Sequence, residues 1–381
     1  MKLLIISHTL HKKQGNSYFA YGPYMREMNL WEKYVDELIV VAPLSEEAPG
    51  SIDLPYTSTN IRFHQVPVFS LTSPRSILKT LFQVPGILWV LFKAMRKADH
   101  IHLRCPGNMG LLGCFVQLFF PKKNKSAKYA GNWDPNAGQP RSYQLQKWLL
   151  NNPFLSRNMQ VMVYGHWPHT SKNIIPFFTA TYPESKRQKT TKTFQSPYKA
   201  LFVGGLTKGK NPLYAVQLIH KLLQSGLAFT LDLFGEGAER PAIEAYIQTH
   251  NLQGAINLYG NQTGEIVELG YKTAHFLILP SQSEGWPKAV AEGMFWGCIP
   301  FATPVSCVTE MLGNGTRGVI LSKQLERDVE VFTEVLNNKE RLQTLSIQAQ
   351  TWSQQFTLEA FEEKIRGLIH RRGFTQRQRK V

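Results

Sequence analysis

Residues 279–309, LPSQSEGWPKAVAEGMFWGCIPFATPVSCVT, decide how this chain is read. The apolar run HFLIL (275–279) predicts a strand that opens onto a polar, glycine-containing loop at 281–286. Pro287 then stands where a first helical residue is favoured, and Gly297 ends the helix. CIPFAT follows at once as a second strand. Glu284 falls in the loop and Glu292 about one and a half turns into the helix. A strand, an open loop and a helix N-terminus make an anion site in an α/β sheet, because free backbone N–H groups and the helix dipole face the ligand. Carboxylates repel phosphate, so the two acids are expected to serve hydroxyls. The combination points to a sugar nucleotide.

Two further stretches lie upstream. LFVGGLTKGKNPLYAV (201–216) is a strand, a glycine turn and a lysine-containing loop, and LDLFGEGAERPAIE (231–244) carries a G-x-G-x-E-R turn. With Glu284-Gly285-Trp286-Pro287, Glu292-Gly293-Met294 and Gly297, these three ordered motifs resemble those of the retaining glycosyltransferases of family 4, the group 1 glycosyltransferases of GT-B fold. The resemblance is firm over residues 196–322 and weak in the N-terminal half.

It implies an α/β protein of two Rossmann-like domains facing a central cleft, with the C-terminal helix crossing back to the N-terminal domain. The expected boundaries are an N-terminal acceptor domain at 1–182, a linker at 183–199, a nucleotide-sugar domain at 200–355, and a crossing helix with a basic tail at 356–381. The linker is read from the polar, apolar-poor run PESKRQKTTKTFQSPYK, and the tail RRGFTQRQRKV is expected to be disordered. Apolar runs at 3–7, 38–42, 101–103 and 159–164 predict strands separated by helical or loop material, an alternation that argues for βαβ units. Helices are expected over 23–35, 212–225, 240–250, 265–272 and 358–370.

The resemblance also assigns roles. Lys210 matches the family lysine that pairs with the diphosphate, where preorganised charge contributes most to group transfer. Glu284 is placed near the donor sugar and Glu292 on the ribose hydroxyls. Backbone N–H groups at Gly285 and Trp286 would contact sugar hydroxyls or phosphate, and packing would equally explain Trp286. The family arginine of the G-R-L turn is replaced by Gly205, with Lys208 as the candidate second cation. Gly235 and Gly237 would let the backbone approach the nucleotide, although turn formation alone also explains them. Arg240 reads as a helix-start residue, and the role of Glu310 is left open.

In the N-terminal half, Arg104 follows the strand HIHL at its carboxyl end, where open α/β sheets place ligands. It stands near the point of a family histidine, with His102 inside the sheet, and is grouped with the catalytic candidates. Gly22, at a helix N-terminus, is better placed than Gly15 for the glycine loop that faces the diphosphate. Asn132 and Asp134 of GNWDP are candidates for acceptor hydroxyls, and turn formation explains them about as well.

Composition bounds the rest. The length of 381 residues suggests two or three domains. With 43% hydrophobic residues and a mean hydropathy of -0.23, each can bury a core. Cys105, Cys114, Cys298 and Cys307 lack metal or C-x-x-C spacing and read as reduced thiols of a cytosolic protein. MKLLIIS reads as a first buried strand rather than a signal peptide. The resemblance implies transfer without a metal or a cofactor beyond the donor itself, and the lack of an Asp-x-Asp pair or zinc set agrees; the lack of a P-loop or Gly-x-Ser-x-Gly elbow removes the common NTPase and hydrolase readings.

The net charge of +16 is concentrated. Residues 51–200 hold 20 Lys+Arg against 4 Asp+Glu, and the remaining chain is balanced. A positive field favours an anionic surface or acceptor. Two apolar stretches lie inside this region, TLFQVPGILWVLF (80–92) and GLLGCFVQLFF (110–120). Cations frame them: Arg75, Lys79, Lys93, Arg96 and Lys97 around the first, and Lys122, Lys123 and Lys125 after the second. Neither reaches the roughly 18 to 20 residues that span a bilayer. Pro85 and Gly86 are expected to break the first, which reads as an interfacial membrane contact. The second reads as a core helix.

The expected function is transfer of a hexose, with retention, from a nucleoside-diphosphate sugar to a glycan or lipid-linked acceptor at an anionic, cytoplasmic membrane face, as in surface polysaccharide or lipopolysaccharide assembly. The rivals are a nucleotide-sugar epimerase of the same fold and a non-catalytic basic module on an anionic polymer. Nucleic acid is not expected as a partner, because the cationic region lacks interleaved aromatic motifs.

Overall fold

The computed structural model describes residues 1–50, 52–68 and 74–370. The basic tail at 371–381 and the side chains of Arg75 and Lys79 lie outside the described residues. The chain divides into two units: Met1–Phe177 with the segment from Phe361 on, and Phe178–Ala360.

The first unit is built on ten strands: β1 (Lys2–Ile6), β2 (His11–Gln14), β3 (Ser17–Tyr21), β4 (Glu37–Ser45), β5 (Asp53–Pro55), β6 (Ile61–Val66), β7 (His100–Cys105), β8 (Asn124–Tyr129), β9 (Met159–Tyr164) and β10 (Ile174–Phe177). Seven of them form a parallel sheet in the order β6-β4-β1-β7-β8-β9-β10. The hairpin β2–β3 and strand β5 extend it beyond β4. Its helices are α1 (Gly22–Glu32), α2 (Pro74–Lys97), α3 (Asn108–Val116) and α4 (Arg141–Leu150). The second unit is a six-stranded, wholly parallel sheet in the order β13-β12-β11-β14-β15-β16. Those strands are β11 (Tyr198–Val203), β12 (Phe229–Phe234), β13 (Ile256–Gly260), β14 (Phe276–Leu279), β15 (Ile299–Ala302) and β16 (Val319–Ile320). Its helices are α5 (Pro212–Gln224), α6 (Arg240–Thr249), α7 (Gly264–Thr273), α8 (Lys288–Phe295), α9 (Val308–Met311), α10 (Leu325–Leu336) and α11 (Lys339–Ser353). Both sheets are doubly wound, and in each the chain reverses direction beside the first strand, β1 or β11. Continuous apolar runs such as FLIL in β14, buried at every position, are what a strand covered on both faces requires.

The last helix, α12 (Leu358–His370), joins the first unit from Phe361 on. Phe361 meets Phe177 at a ring distance of 5.2 Å, and Glu362 accepts from Lys33 at 3.0 Å and from Tyr34 at 2.8 Å.

β7 shows how alternation sorts chemistry in the first unit. Ile101, Leu103 and Cys105 join the apolar core beneath α2 and α3. His100, His102 and Arg104 lie on the other face. Ser126 hydrogen-bonds both imidazoles, at 2.7 Å and 2.9 Å, and burial holds both well below the usual histidine range. Trp31 of α1 covers His102 at a ring distance of 4.3 Å. One turn earlier on α1, Glu27 accepts from Arg104 and, at 2.9 Å, from Lys128 of β8. Burial alone would raise the Glu27 carboxyl, but the two cations hold it down at about 2. Lys128 shares one carboxylate with a second cation, so desolvation prevails and lowers its ammonium to about 8.

β8 escapes a reading of hydrophobic pattern because Lys125 and Lys128 are buried in it. Part of the basic excess is therefore internal rather than surface charge. α2 also departs from expectation: it runs through Pro85 without interruption, with Pro85 and Gly86 on its exposed side and Ile87, Leu91 and Met95 in the core. Apolar burial along the opposite stripe offsets the backbone bond that proline removes.

Residues 183–199 are polar yet packed. The segment lies in the second unit, where buried Lys192 donates to the carbonyls of Tyr271 at 2.7 Å, Lys272 at 2.8 Å and Ala274 at 2.5 Å. A lysine thus closes the C-terminus of α7, where unpaired carbonyls and the helix dipole favour a cation. Its methylene stem explains why so apolar-poor a sequence is ordered.

Removing Glu27 would leave two buried cations without a counter-ion. Glu27→Ala should cost about 3–5 kcal/mol in urea unfolding. Because the folded carboxyl sits near 2 against an ordinary 4.5, the stability it supplies is complete above 4.5 and is lost as pH falls towards 2. That loss should be absent from the acid-unfolding profile of Glu27→Gln.

Candidate functional site

In the second unit the chain reverses between β11 and β14, so the loops that follow these strands, 204–210 and 280–287, leave the sheet side by side. Open α/β sheets hold their ligands at this position. Lys210 Nζ lies 2.6 Å from Glu284 Oε1, with the glutamate side chain 7% and the lysine 32% exposed. The Gln282 N–H donates to the Gly209 carbonyl at 2.8 Å, a second tie between the loops. The loop after β15 holds the far side, where the Ser306 hydroxyl donates to the Gly285 carbonyl at 3.0 Å and the Cys307 thiol does so at 3.3 Å. Burial, then the nearby Glu310 and Glu284, push that thiol up to about 12, so it stays protonated. A cation and a carboxylate are thereby fixed at the mouth of the sheet. Pro287 stands at the N-cap of α8 rather than inside its first turn.

A third loop supports the first. Gly235 has φ +145°, and a Cβ there would sit 1.9 Å from the Gly204 carbonyl oxygen. At Gly237 a Cβ would lie 2.3 Å from the Leu206 carbonyl oxygen. The close approach these glycines permit is to the neighbouring loop. The N–H of Leu206 donates to Glu236 and that of Glu239 to Leu206, both at 2.9 Å. Gly205 is exposed with no side-chain or backbone atom closer than 3.6 Å to an added Cβ, so the turn does not demand glycine there. Lys208 is exposed on the same loop. Arg240 begins α6 and pairs with Glu236 and Glu244, which accounts for it within its own helix turn.

Glu292 faces different partners from those of the Lys210–Glu284 pair. Its carboxylate accepts from Thr181 at 2.7 Å and from Tyr271 at 3.1 Å. Trp286 packs among Trp352, Phe356 and Phe178 at ring distances of 5.5 to 6.4 Å, which favours packing over contact with a ligand.

The first-unit candidates are held by the fold. Arg104 belongs to the buried cluster with Glu27 and Lys128, and its guanidinium lies 5.5 Å from the Tyr24 ring. Gly22 donates its N–H to the Ile52 carbonyl at 2.9 Å, and a Cβ there would sit 2.8 Å from that oxygen. The glycine is required for packing against the chain beside β5. Gly15 turns the β2–β3 hairpin at φ +58°. Asn132 Oδ1 accepts the Asp134 N–H at 2.9 Å and Asp134 Oδ1 the Asn136 N–H at 2.8 Å, so both build the turn. Sequence reasoning passed over His8, which follows β1 and borders a pocket of about 260 Å³ with Pro43, Gly107 and Tyr143 at the mouth of the first sheet. Burial and then Arg104 hold its imidazole below the usual range. Among the described residues no group of three or more His, Cys, Asp or Glu is placed to hold a metal ion.

Residues 184–352 match the family model described as glycosyl transferases group 1. An uncharacterised glycosyltransferase of Methanocaldococcus jannaschii, MJ1178, is 29% identical over 160 residues, 42% of this chain and 44% of that protein. The aligned region thus spans less than half of that curated relative. Among solved structures, sucrose-phosphate synthase from Thermosynechococcus elongatus superposes with a TM-score of 0.66 at 16% identity, covering 97% of this chain and 98% of that one. Anabaena HepE, solved with UDP and glucose, gives 0.65 at 14% identity over 97% and 99%. WaaG, described as a glycosyltransferase involved in lipopolysaccharide biosynthesis, gives 0.63 at 14% identity over 97% and 100%. The chain has the fold of these GT-B glycosyltransferases, two parallel-sheet α/β units.

Proposed function

We propose that the protein transfers a hexose from a nucleoside-diphosphate sugar to a glycan or lipid-linked acceptor, with retention of anomeric configuration. The observation that carries this is the Lys210–Glu284 pair at the reversal point of the second sheet. It joins an ammonium suited to a diphosphate with a carboxylate suited to sugar hydroxyls. In this reading the donor diphosphate takes over Lys210, and Glu284 turns its freed acceptor capacity to the hexose. As the bond from the anomeric carbon to the phosphate oxygen breaks, charge grows on that oxygen and Lys210 stabilises it; the acceptor hydroxyl oxygen forms the new bond and its proton passes to the departing diphosphate. Lys208 adds a second, more exposed cation. Glu292, whose carboxylate accepts from Thr181 and Tyr271, is assigned to the ribose hydroxyls of the donor, with Lys210 and Glu284 on the diphosphate and the sugar. Retention rests on the motif resemblance alone.

The acceptor side is read from the first unit. Phe82, Trp89 and Phe119 are 81%, 58% and 71% exposed, and Trp89 and Phe119 line one apolar groove with Pro85 and Phe115, built from both apolar stretches of the sequence. Leu88 and Phe92, between them, pack partly on the core. Lys93, Arg96, Lys97 and Lys122 are exposed on the flanking chain, and Lys93 lies 4.8 Å over the Trp89 ring. Among the described residues no helix is long and apolar enough to cross a membrane. Aromatic side chains flanked by cations suit an anionic lipid surface, into which they dip while the cations meet head groups. Such a surface, at the cytoplasmic face, is where a lipid-linked acceptor of polysaccharide assembly would be met.

Two measurements test these readings. Incubated with a nucleoside-diphosphate sugar and a lipid-linked acceptor, the protein should yield free nucleoside diphosphate and a glycoside. Lys210→Gln, which keeps a hydrogen bond to Glu284 but removes the charge, should lower kcat/KM by roughly 10²–10³. An isomerised donor with no nucleotide released would point to an epimerase instead. Separately, serine at Phe82, Trp89 and Phe119 should release the protein from anionic vesicles in a pelleting assay, and unchanged pelleting would remove the membrane assignment.

A further inference from the structure

The first unit carries a pocket of about 520 Å³ that no part of the donor chemistry uses. It lies beyond the carboxyl ends of β8 and β9, and its walls include three tryptophans from three segments: Trp133 after β8, Trp148 on α4 and Trp167 after β9. Trp133 is buried and set edge-on to Tyr129 at 4.9 Å. Trp167 is half-buried and pinned by its indole N–H, which donates to the Tyr164 carbonyl at 2.7 Å. Trp148 is 58% exposed, so its ring is open to a ligand at the rim of the pocket.

The polar side chains of the pocket are Lys147, Asn151, Asn152, His169 and Thr170, and several are partly committed; Asn151 donates to the His169 carbonyl and accepts from Ser171. Lys147 donates to the Asp134 carbonyl at 2.9 Å, which leaves two of its three donors. Asn152 uses Oδ1 for the N–H groups of Phe154 and Leu155, while no bond to its Nδ2 is found among the described residues. The Thr170 hydroxyl donates to the Trp167 carbonyl at 3.0 Å and keeps its oxygen as an acceptor. No aspartate or glutamate lines the pocket.

Such a lining selects its ligand. Broad aromatic walls need a flat apolar face, and scattered single donors and acceptors need a rim of hydroxyls. A pyranose ring offers both, because its C–H groups gather on one face while its hydroxyls project around the edge. A lone ammonium already held by a backbone carbonyl is poor provision for phosphate, and the absence of carboxylates is poor provision for a cation. The volume falls within the range of about 300–1,000 Å³ typical of small-molecule sites, enough for more than one sugar ring.

We infer that this tryptophan-walled pocket binds a neutral pyranose unit of the acceptor glycan; assigning that sugar to the acceptor rests on the glycosyltransferase reading above. The site belongs wholly to the first unit, whereas the donor loops belong wholly to the second.

The test is a titration of the full chain with methyl glycosides of neutral hexoses and N-acetylhexosamines, and with their di- to tetrasaccharides, followed by tryptophan fluorescence and calorimetry. At least one should bind saturably. Trp148→Ala should weaken that binding by about tenfold, equivalent to roughly 1.4 kcal/mol. Trp148→Phe should recover part of it, and the melting temperature of both variants should stay at the wild-type value because the ring is exposed. Nucleoside-diphosphate binding, measured in parallel, should not respond to either change. The inference is overturned if no sugar in the panel binds saturably, or if Trp148→Ala binds as tightly as wild type. Failure of the donor reading would look different: sugars would bind at Trp148 while no nucleotide bound at all.

Discussion

The ion pair between Lys210 and Glu284 depends on the reversal of strand order in the second sheet. Two loops can run side by side from a parallel sheet only where consecutive crossovers turn in opposite directions, and that happens once, between β11 and β14. At 2.6 Å and with the carboxylate nearly buried, the pair is screened far less than a surface bridge. It ties the two loops to each other at the mouth of the sheet. Gly235 and Gly237 let a third loop press directly against the first, and the hydroxyl of Ser306 clamps the second. Side chains at the mouth are therefore set by backbone contacts below them, the condition for electrostatics that need not reorganise during reaction.

The first unit spends its charge differently. Arg104, Lys128 and Lys125 look from composition like surface cations, yet they lie inside, against Glu27 or Gln117. Glu27 matches a buried positive charge that an apolar residue could have replaced, so the cluster is a commitment to one arrangement of α1, β7 and β8 more than a gain in stability. Of the cations that remain outside, Lys93 lies over the exposed Trp89 ring, where charge and apolar area act together.

Much of the second unit was legible because its elements obey single rules: buried parallel strands read as apolar runs, and α5, α6 and α7 show helical period with clear ends. The strand, loop and helix from Phe276 to Phe295 could be placed for the same reason. Partners were harder to read than positions. The pairing of Glu292 with Thr181 and Tyr271 joins residues 111 and 21 positions away, and nothing local announces it. Arg104 sat at the right end of a strand, but its partner Glu27 lies on a helix that pattern alone could only call amphipathic. β8 was missed because NKSAKY violates the apolar rule, its lysines being satisfied by Glu27 and Gln117 rather than by water. The polar run at 183–199 suggested a free linker, since the anchoring of Lys192 to the end of α7 is a three-dimensional fact. The three tryptophans of the first-unit pocket are spread over 35 residues, and only the fold gathers them.

The central claim is that the second unit's paired loops hold a nucleoside diphosphate through Lys210. It is tested most directly by thermal denaturation of wild type and of Lys210→Gln in the presence of UDP, GDP, ADP and TDP and their sugars. A ligand that binds only the native state adds about 2.7 kcal/mol at a hundredfold excess over its dissociation constant. The account predicts a rise in melting temperature with one nucleotide class in the wild type, and a much smaller rise in Lys210→Gln. No shift with any nucleotide at millimolar concentration, or an equal shift in both proteins, would contradict it.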